Sequence, residues 1–227
     1  MLMSGVCQHH NALIYKVITF MRTRIKICGL TRVADAVHAA RCGADAIGLV
    51  FYPPSPRHIA LEQGRTISRA LPAFVTRVAL FVDADPAQVE TVLTDVRPDL
   101  LQFHGDESPE YCRQFGVPYI KAARVKAGLN LVQYAALYAD AQGLLLDAFV
   151  PGQPGGTGLS FDWTLIPENL PLPLILSGGL DPENVRHAVQ SVHPWAVDVS
   201  SGVETSKGIK DAAKVAKFIQ EVGNADR

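Results

Sequence analysis

The chain has 227 residues, 48% hydrophobic and 19% charged, enough for one or two globular domains with a sizeable core. A formal net charge of −1 and a pI of about 6.6 leave no basic footprint for nucleic acid or for an anionic membrane surface. The four cysteines, Cys7, Cys28, Cys42 and Cys112, form no Cys-x-x-Cys pair and no His/Cys cluster of zinc spacing. Neither a metal site nor a disulfide framework is therefore expected, and a reducing, cytoplasmic setting is.

The first twenty or so residues fit poorly with the rest of the chain. The stretch 11–20 is moderately apolar, but Lys16 interrupts it and it is too short to span a membrane. It also lacks the basic n-region and small-residue cleavage site of a secretory signal. Met21 stands directly before the first convincing strand, so residues 1–21 are read as an extension outside the fold and 22–227 as a single domain.

From there short apolar runs alternate with amphipathic stretches. The runs predict strands over 24–28, 46–51, 77–82, 100–104, 119–123, 144–147, 174–177 and 196–200. The stretches predict helices over 33–42, 61–71, 86–96, 109–115, 130–138, 182–192 and 211–222, with a helical turn at 163–166. Thr31 and Asp181 are expected N-caps, and Pro86, Pro109 and Pro182 suit the first helical position. Alternating βα units imply a parallel sheet, either open and doubly wound or closed. Eight units with no dividing linker favour the α/β fold class of the (βα)8 TIM barrel, a parallel eight-stranded cylinder.

Strand parity makes a sharper prediction. Ile25 and Ile27 share one face of the first strand, which leaves Lys26 and Cys28 on the other. In the last strand Val197 and Val199 oppose Asp198 and Ser200. If the β-branched faces meet the helices, Lys26 and Asp198 both point into the barrel. Closure makes their strands neighbours, and a buried charge needs a partner, so the two are expected to pair.

Candidate chemistry gathers at the C-terminal strand ends, where parallel barrels place their sites. Cys28 ends the first strand in Lys26-Ile27-Cys28-Gly29-Leu30-Thr31; it is either a reactive thiol or a small buried apolar residue. Asp147 ends the sixth strand as an acid–base group or as an N-cap for the segment after it. That segment, 151–158, carries Gly152, Gly155, Gly156 and Gly158, the composition of a mobile covering loop. Arg57 lies on the proline-stiffened loop Pro53-Pro54-Ser55-Pro56-Arg57-His58, where it suits a carboxylate or phosphate unless it is simply a solvated surface group. Gln102 and His104 share a face of the fourth strand, and His104 at its end either lines the pocket or bonds the next loop. Two Gly/Ser turns come after the seventh and eighth strands: Ser177-Gly178-Gly179-Leu180 and Ser200-Ser201-Gly202-Val203-Glu204. Backbone N–H groups at Gly178, Gly179, Ser200, Ser201 and Gly202 are the expected phosphate cradle.

Taken in order, these motifs resemble the phosphoribosylanthranilate isomerases. The resemblance runs from Arg24 to about Val222. It includes Lys-Ile-Cys-Gly-Leu-Thr (26–31), Gly-Ala-Asp-Ala-Ile-Gly (43–48), Phe-Tyr-Pro-Pro-Ser-Pro-Arg (51–57), Gln-Phe-His-Gly-Asp-Glu (102–107), Gly-Gly-Thr-Gly (155–158) with Phe161-Asp162-Trp163, Ser-Gly-Gly-Leu (177–180) and Asp-Val-Ser-Ser-Gly-Val-Glu (198–204). It implies an Amadori rearrangement of N-(5-phosphoribosyl)anthranilate in tryptophan biosynthesis, with Asp147 as general acid, Cys28 as general base and Arg57 as the anthranilate-contacting arginine. It implies no cofactor, a small phosphosugar as the partner, and a monomer or weak homodimer; neither nucleic acid nor membrane enters. The competing expectation is a non-catalytic barrel that binds a sugar phosphate as a sensor.

Overall fold

The computed structural model describes residues 22–126, 128–148 and 161–227. The expected N-terminal extension and the glycine-rich loop at 151–158 lie outside the described residues. The eight parallel strands are β1 (Arg24–Cys28), β2 (Ala46–Val50), β3 (Thr76–Phe81), β4 (Leu100–Phe103), β5 (Tyr119–Val125), β6 (Leu144–Ala148), β7 (Leu174–Leu176) and β8 (Ala196–Val199). They pair in chain order and close, β8 against β1, into a barrel. Around them lie α1 (Val33–Cys42), α2 (Leu61–Ala70), α3 (Pro86–Asp95), α4 (Pro109–Arg113), α5 (Leu131–Leu137), α6 (Val185–Val192) and α7 (Ala212–Ala225).

Period-two alternation divides the core. Outward residues such as Ile25, Ile27, Ile47, Leu49, Val197 and Val199 pack with Ala36, Ala39, Ile67, Val189, Val215 and Phe218 of the helices. Inside the barrel Ile120, Ala122, Leu145, Ile175 and Ala196 form one apolar layer, and Cys28, Val50 and Leu80 another. Lys26, Gln102 and Asp198 are buried polar groups of the inward faces.

The strand-parity expectation holds. Lys26 lies in register with Asp198 across the β1–β8 seam, and its Nζ donates to Asp198 Oδ1 at 2.8 Å, both side chains being buried. Burial acts against the ammonium, but Asp198, with help from the Cys28 sulfur, more than offsets it and raises the Lys26 pKa. Ser177 donates to the other Asp198 oxygen at 3.4 Å.

Several helix starts obey their sequence signals. Asp85 accepts from Ala87 N at 2.8 Å ahead of Pro86, and Ser108 from Tyr111 N at 3.2 Å ahead of Pro109. Two expectations need correction. Thr31 is not a cap: α1 starts from Arg32 with no side-chain cap, and the Thr31 hydroxyl instead donates to Gly208 O. Pro182 is not a first helical residue, because α6 begins at Val185. Asp181 still caps the preceding turn, accepting from the N–H groups of Glu183 and Asn184 at 2.8 and 2.9 Å. The sequence reading also missed the small antiparallel pair β9 (Glu204–Ser206) and β10 (Ile209–Lys210).

Removing one member of a buried pair strands the other charge. Lys26→Met is expected to lower unfolding free energy by about 3–5 kcal/mol in guanidinium titrations, and Lys26→Met with Asp198→Leu to recover most of that loss. A single variant as stable as the parent protein would contradict a stabilising seam pair.

Candidate active site

The ends of β1, β4 and β6 each deliver a side chain to the barrel mouth. Cys28 closes β1 and is 5% exposed. Burial raises its pKa; Lys26 below it and Lys210 beside the mouth oppose the rise, and Asp198 adds to it. The resting thiol is thus predominantly protonated at neutral pH. Asp147, also buried, lies in β6 one residue before its end. Its Oδ1 accepts from the N–H of Ala148 at 2.9 Å, and its Oδ2 lies 3.3 Å from His104 Nε2.

His104 comes directly after β4 and sits in the pocket wall. The Gln102 amide, two residues earlier on the same face, reaches its Nδ1 at 2.9 Å. If the amide nitrogen donates there, the imidazole proton lies on Nε2 and faces Asp147. Gln102 is wholly buried, and neither its Oε1 nor His104 Nε2 meets full hydrogen-bond geometry with any described residue. The structure therefore brings His104 to Asp147, a pairing the sequence reading left open.

Arg57 is no surface group. It is 7% exposed and grips Glu204 with both ends of one guanidinium edge: Nε donates to Oε1 and Nη2 to Oε2, each at 2.8 Å. Lys210 Nζ also donates to Glu204 Oε1, at 2.7 Å. Burial disfavours all three charges, yet the two cations hold the Glu204 carboxyl below its usual range. Lys210 itself stays below the usual lysine range because burial outweighs Glu204. Sequence reasoning missed this cluster; an acidic residue inside an otherwise anion-binding turn was its only signal.

The two Gly/Ser turns meet as expected. Gly178 and Gly179 have φ of 85° and 66°, and Ser201–Val203 makes a short 3₁₀ turn. Gly202 packs so tightly on the Leu180 carbonyl that any Cβ there would overlap it. The backbones of the β7 and β8 turns therefore touch, and Asn184 Nδ2 donates to Gly179 O at 2.8 Å to brace the first. Gly178, Gly179, Ser200, Ser201 and Gly202 thus cluster on one side of the mouth. A groove of about 1280 Å³ opens at the barrel's opposite end, beside Arg24, Trp163, His187 and Trp195, and involves none of these groups.

The family model for N-(5'-phosphoribosyl)anthranilate (PRA) isomerase matches residues 25–221. The chain belongs to the phosphoribosylanthranilate isomerase family. Family membership makes it an isomerase, and the family's reaction is a step of tryptophan biosynthesis. The N-(5'-phosphoribosyl)anthranilate isomerase of Thiobacillus denitrificans is 59% identical over 201 residues, covering 88% of this chain and 98% of that one. A crystal structure of a family isomerase bound to reduced 1-(o-carboxyphenylamino)-1-deoxyribulose 5-phosphate superposes with a TM-score of 0.79 at 41% identity, over 89% of this chain and 99% of that one. A second, of monomers generated from the dimeric Thermotoga maritima enzyme, gives 0.79 at 39% identity over the same shares.

Because burial holds the Cys28 thiol above its usual range, its thiolate population should grow about tenfold per pH unit through that range. The absorbance difference at 240 nm between the parent protein and Cys28→Ala is expected to appear only on the alkaline side. A full thiolate signal at pH 7 would contradict a burial-dominated thiol.

Proposed function

We propose that this chain isomerises N-(5-phosphoribosyl)anthranilate to 1-(2-carboxyphenylamino)-1-deoxyribulose 5-phosphate, with Asp147 as general acid and Cys28 as general base. The observation that carries the reading is the convergence, at one barrel mouth, of a buried thiol on β1 and a buried carboxyl on β6 beside the touching turns of β7 and β8.

The chemistry runs in two proton transfers to and from the protein, followed by a tautomerisation. The phosphate lies on the backbone N–H groups of the two turns, and the anthranilate carboxylate lies toward Arg57. Asp147 protonates the furanose ring oxygen as the C1–O bond breaks, and the aniline nitrogen lone pair forms the C1=N iminium. The Cys28 thiolate then takes the C2 proton. The C–H electrons close a C1=C2 double bond, and the C=N electrons return to nitrogen. The resulting enolamine tautomerises: the C2 hydroxyl loses its proton as C1 gains one, leaving the C2 ketone. The substrate nitrogen donates its lone pair as the ring opens and serves as electron sink when the C2 proton leaves. His104 contacts the oxygen of Asp147 that is not bonded to Ala148, and so sets which oxygen faces the ring.

The base must be tuned. Burial raises the Cys28 pKa, and Lys26 and Lys210 oppose that rise without cancelling it, so the thiolate that acts as base is the minor form.

The test tracks loss of substrate fluorescence with freshly made phosphoribosylanthranilate in the presence of EDTA. Cys28→Ala and Asp147→Asn are each expected to lose about 10²–10⁴-fold in kcat while still binding inorganic phosphate. Near-normal kcat in either variant would overturn that residue's role. Binding without turnover by the parent protein would favour the sensor reading.

We also infer that the chain self-associates as a homodimer, as the Thermotoga maritima relative does. Support comes from Phe74, which lies between α2 and β3 with φ of 70° and a side chain 103% exposed. Sedimentation should show a concentration-dependent dimer that Phe74→Glu shifts to monomer. A parent protein that stays monomeric at high concentration would refute this.

A further inference from the structure

Glu204 stands out within the β8 turn, since a carboxylate beside a phosphate cradle would repel the ligand. Its side chain does not face the cradle. It turns to Arg57 and Lys210, and all three side chains are buried.

The donors can be counted. Lys210 Nζ has three hydrogens and three acceptors: Glu204 Oε1 at 2.7 Å, Ser200 O at 3.0 Å and Ser200 Oγ at 3.4 Å. Its ammonium is consumed within the protein and is not available to a substrate. Arg57 has five N–H bonds, of which Glu204 takes two along the Nε/Nη2 edge. The other edge, Nη1 with the second Nη2 hydrogen, has no partner among the described residues. That edge is a planar fork matched to a carboxylate. The Arg57 stem crosses Gly29, whose φ is 73° and where a Cβ would overlap Arg57 Cδ, so the guanidinium sits directly after Cys28.

We propose that Glu204, anchored by Lys210, is the positioning residue that turns the free edge of Arg57 toward the substrate's aryl carboxylate. It thereby sets specificity for an ortho-carboxylated N-aryl sugar phosphate. This rests on the isomerase reading. Without Glu204, a flexible arginine and a lysine of like charge would share one buried site, and the Arg57 fork would lose its fixed direction.

The experiment compares kcat/KM for phosphoribosylanthranilate and for N-(5-phosphoribosyl)aniline, which lacks only the carboxylate. Four proteins are measured: the parent, Arg57→Ala, Glu204→Gln and the double variant. The parent should prefer the carboxylated substrate at least about tenfold. Glu204→Gln should lose that preference nearly as fully as Arg57→Ala, mostly through KM, while the aniline compound reacts within about threefold of the parent rate. The double variant should be no worse than Arg57→Ala alone. A Glu204→Gln protein that keeps the preference, or loses both substrates equally, overturns the inference. If Glu204→Gln does not fold, Glu204→Asp keeps the charge but is one methylene too short for the two-pronged grip; it too should lose the preference, and an unchanged preference refutes the role. Failure of the parent protein to turn over phosphoribosylanthranilate would defeat the isomerase reading itself. A parent preference lost in Arg57→Ala but kept in Glu204→Gln would defeat only the role of Glu204.

Discussion

An ammonium and a carboxylate held 2.8 Å apart inside the barrel, where β8 returns to β1, are the constraint on which the mouth depends. Two charges taken out of water are costly unless each satisfies the other. Lys26 and Asp198 do so only if the seam is in register, so the pair favours one closure over its slipped alternatives. A shift of β8 by one residue would turn Asp198 toward the helix layer and leave Lys26 inside the barrel without its partner. The same register fixes the groups at the mouth. Two residues on from Lys26, on the same face, is Cys28; two residues on from Asp198 is Ser200, where the second Gly/Ser turn begins. Asp198 also receives the hydroxyl of Ser177, which opens the other Gly/Ser turn. One ion pair thus aligns the thiol and both Gly/Ser turns.

A second buried pair works from outside the barrel. Lys121 points into the helix layer and is wholly buried, with Nζ on Glu107 Oε2 at 2.9 Å and on Gly105 O at 2.7 Å. The Glu107 carboxylate in turn accepts from the N–H groups of Asp83 and Gly105, and Tyr138 donates to the Glu107 carbonyl at 2.8 Å. Gly105 and Glu107 lie on the loop after β4, the loop that begins at His104, and Asp83 and Tyr138 tie it to the loop after β3 and to the end of α5. This charge fixes the loop that carries His104 toward Asp147. It is a lysine–glutamate pair, yet Lys121 lies within β5 and faces the helix layer, away from the mouth.

The strands were legible because apolar runs of four to six residues with consistent parity leave little choice of face, and parity alone anticipated the Lys26–Asp198 pair. What escaped was long-range partnering. Thr31 carries a capping residue's chemistry, but its hydroxyl finds the Gly208 carbonyl, 177 positions away. Arg57 and Glu204 are 147 positions apart, and neither residue's neighbours hint at the other. Lys121 reads as an interruption in an apolar strand, and only the folded β4 loop supplies its partners. Gln102 and His104 were legible as sharing a face because they are two residues apart on one strand; Asp147 as their neighbour was not, since β6 meets them only through the closed cylinder. The β9–β10 pair has strands of three and two residues, too short for any periodicity to register.

The charges at the mouth set the terms for a thiolate base. Lys26 is matched by Asp198, and Glu204 is shared between Arg57 and Lys210, so these five groups leave a single net positive charge near Cys28. A substrate bearing both a phosphate and a carboxylate more than cancels it. Side-chain cations alone therefore cannot hold a thiolate against the bound substrate, and free lysines in the mouth would not serve better. An unpaired lysine there would bind the thiolate and the phosphate indiscriminately and would blunt the base. The structure separates the two tasks. In the proposed site, phosphate is met by uncharged backbone N–H groups of turns that touch through Gly202, whose dipoles are fixed and do not compete for a proton. Positive charge is kept behind carboxylates, close enough to favour the thiolate yet engaged by protein partners. Arg57 keeps one edge open, toward the group that carries the substrate's remaining negative charge. In the proposed mechanism, that division lets a deeply buried thiol with a raised pKa serve as base beside an anionic substrate.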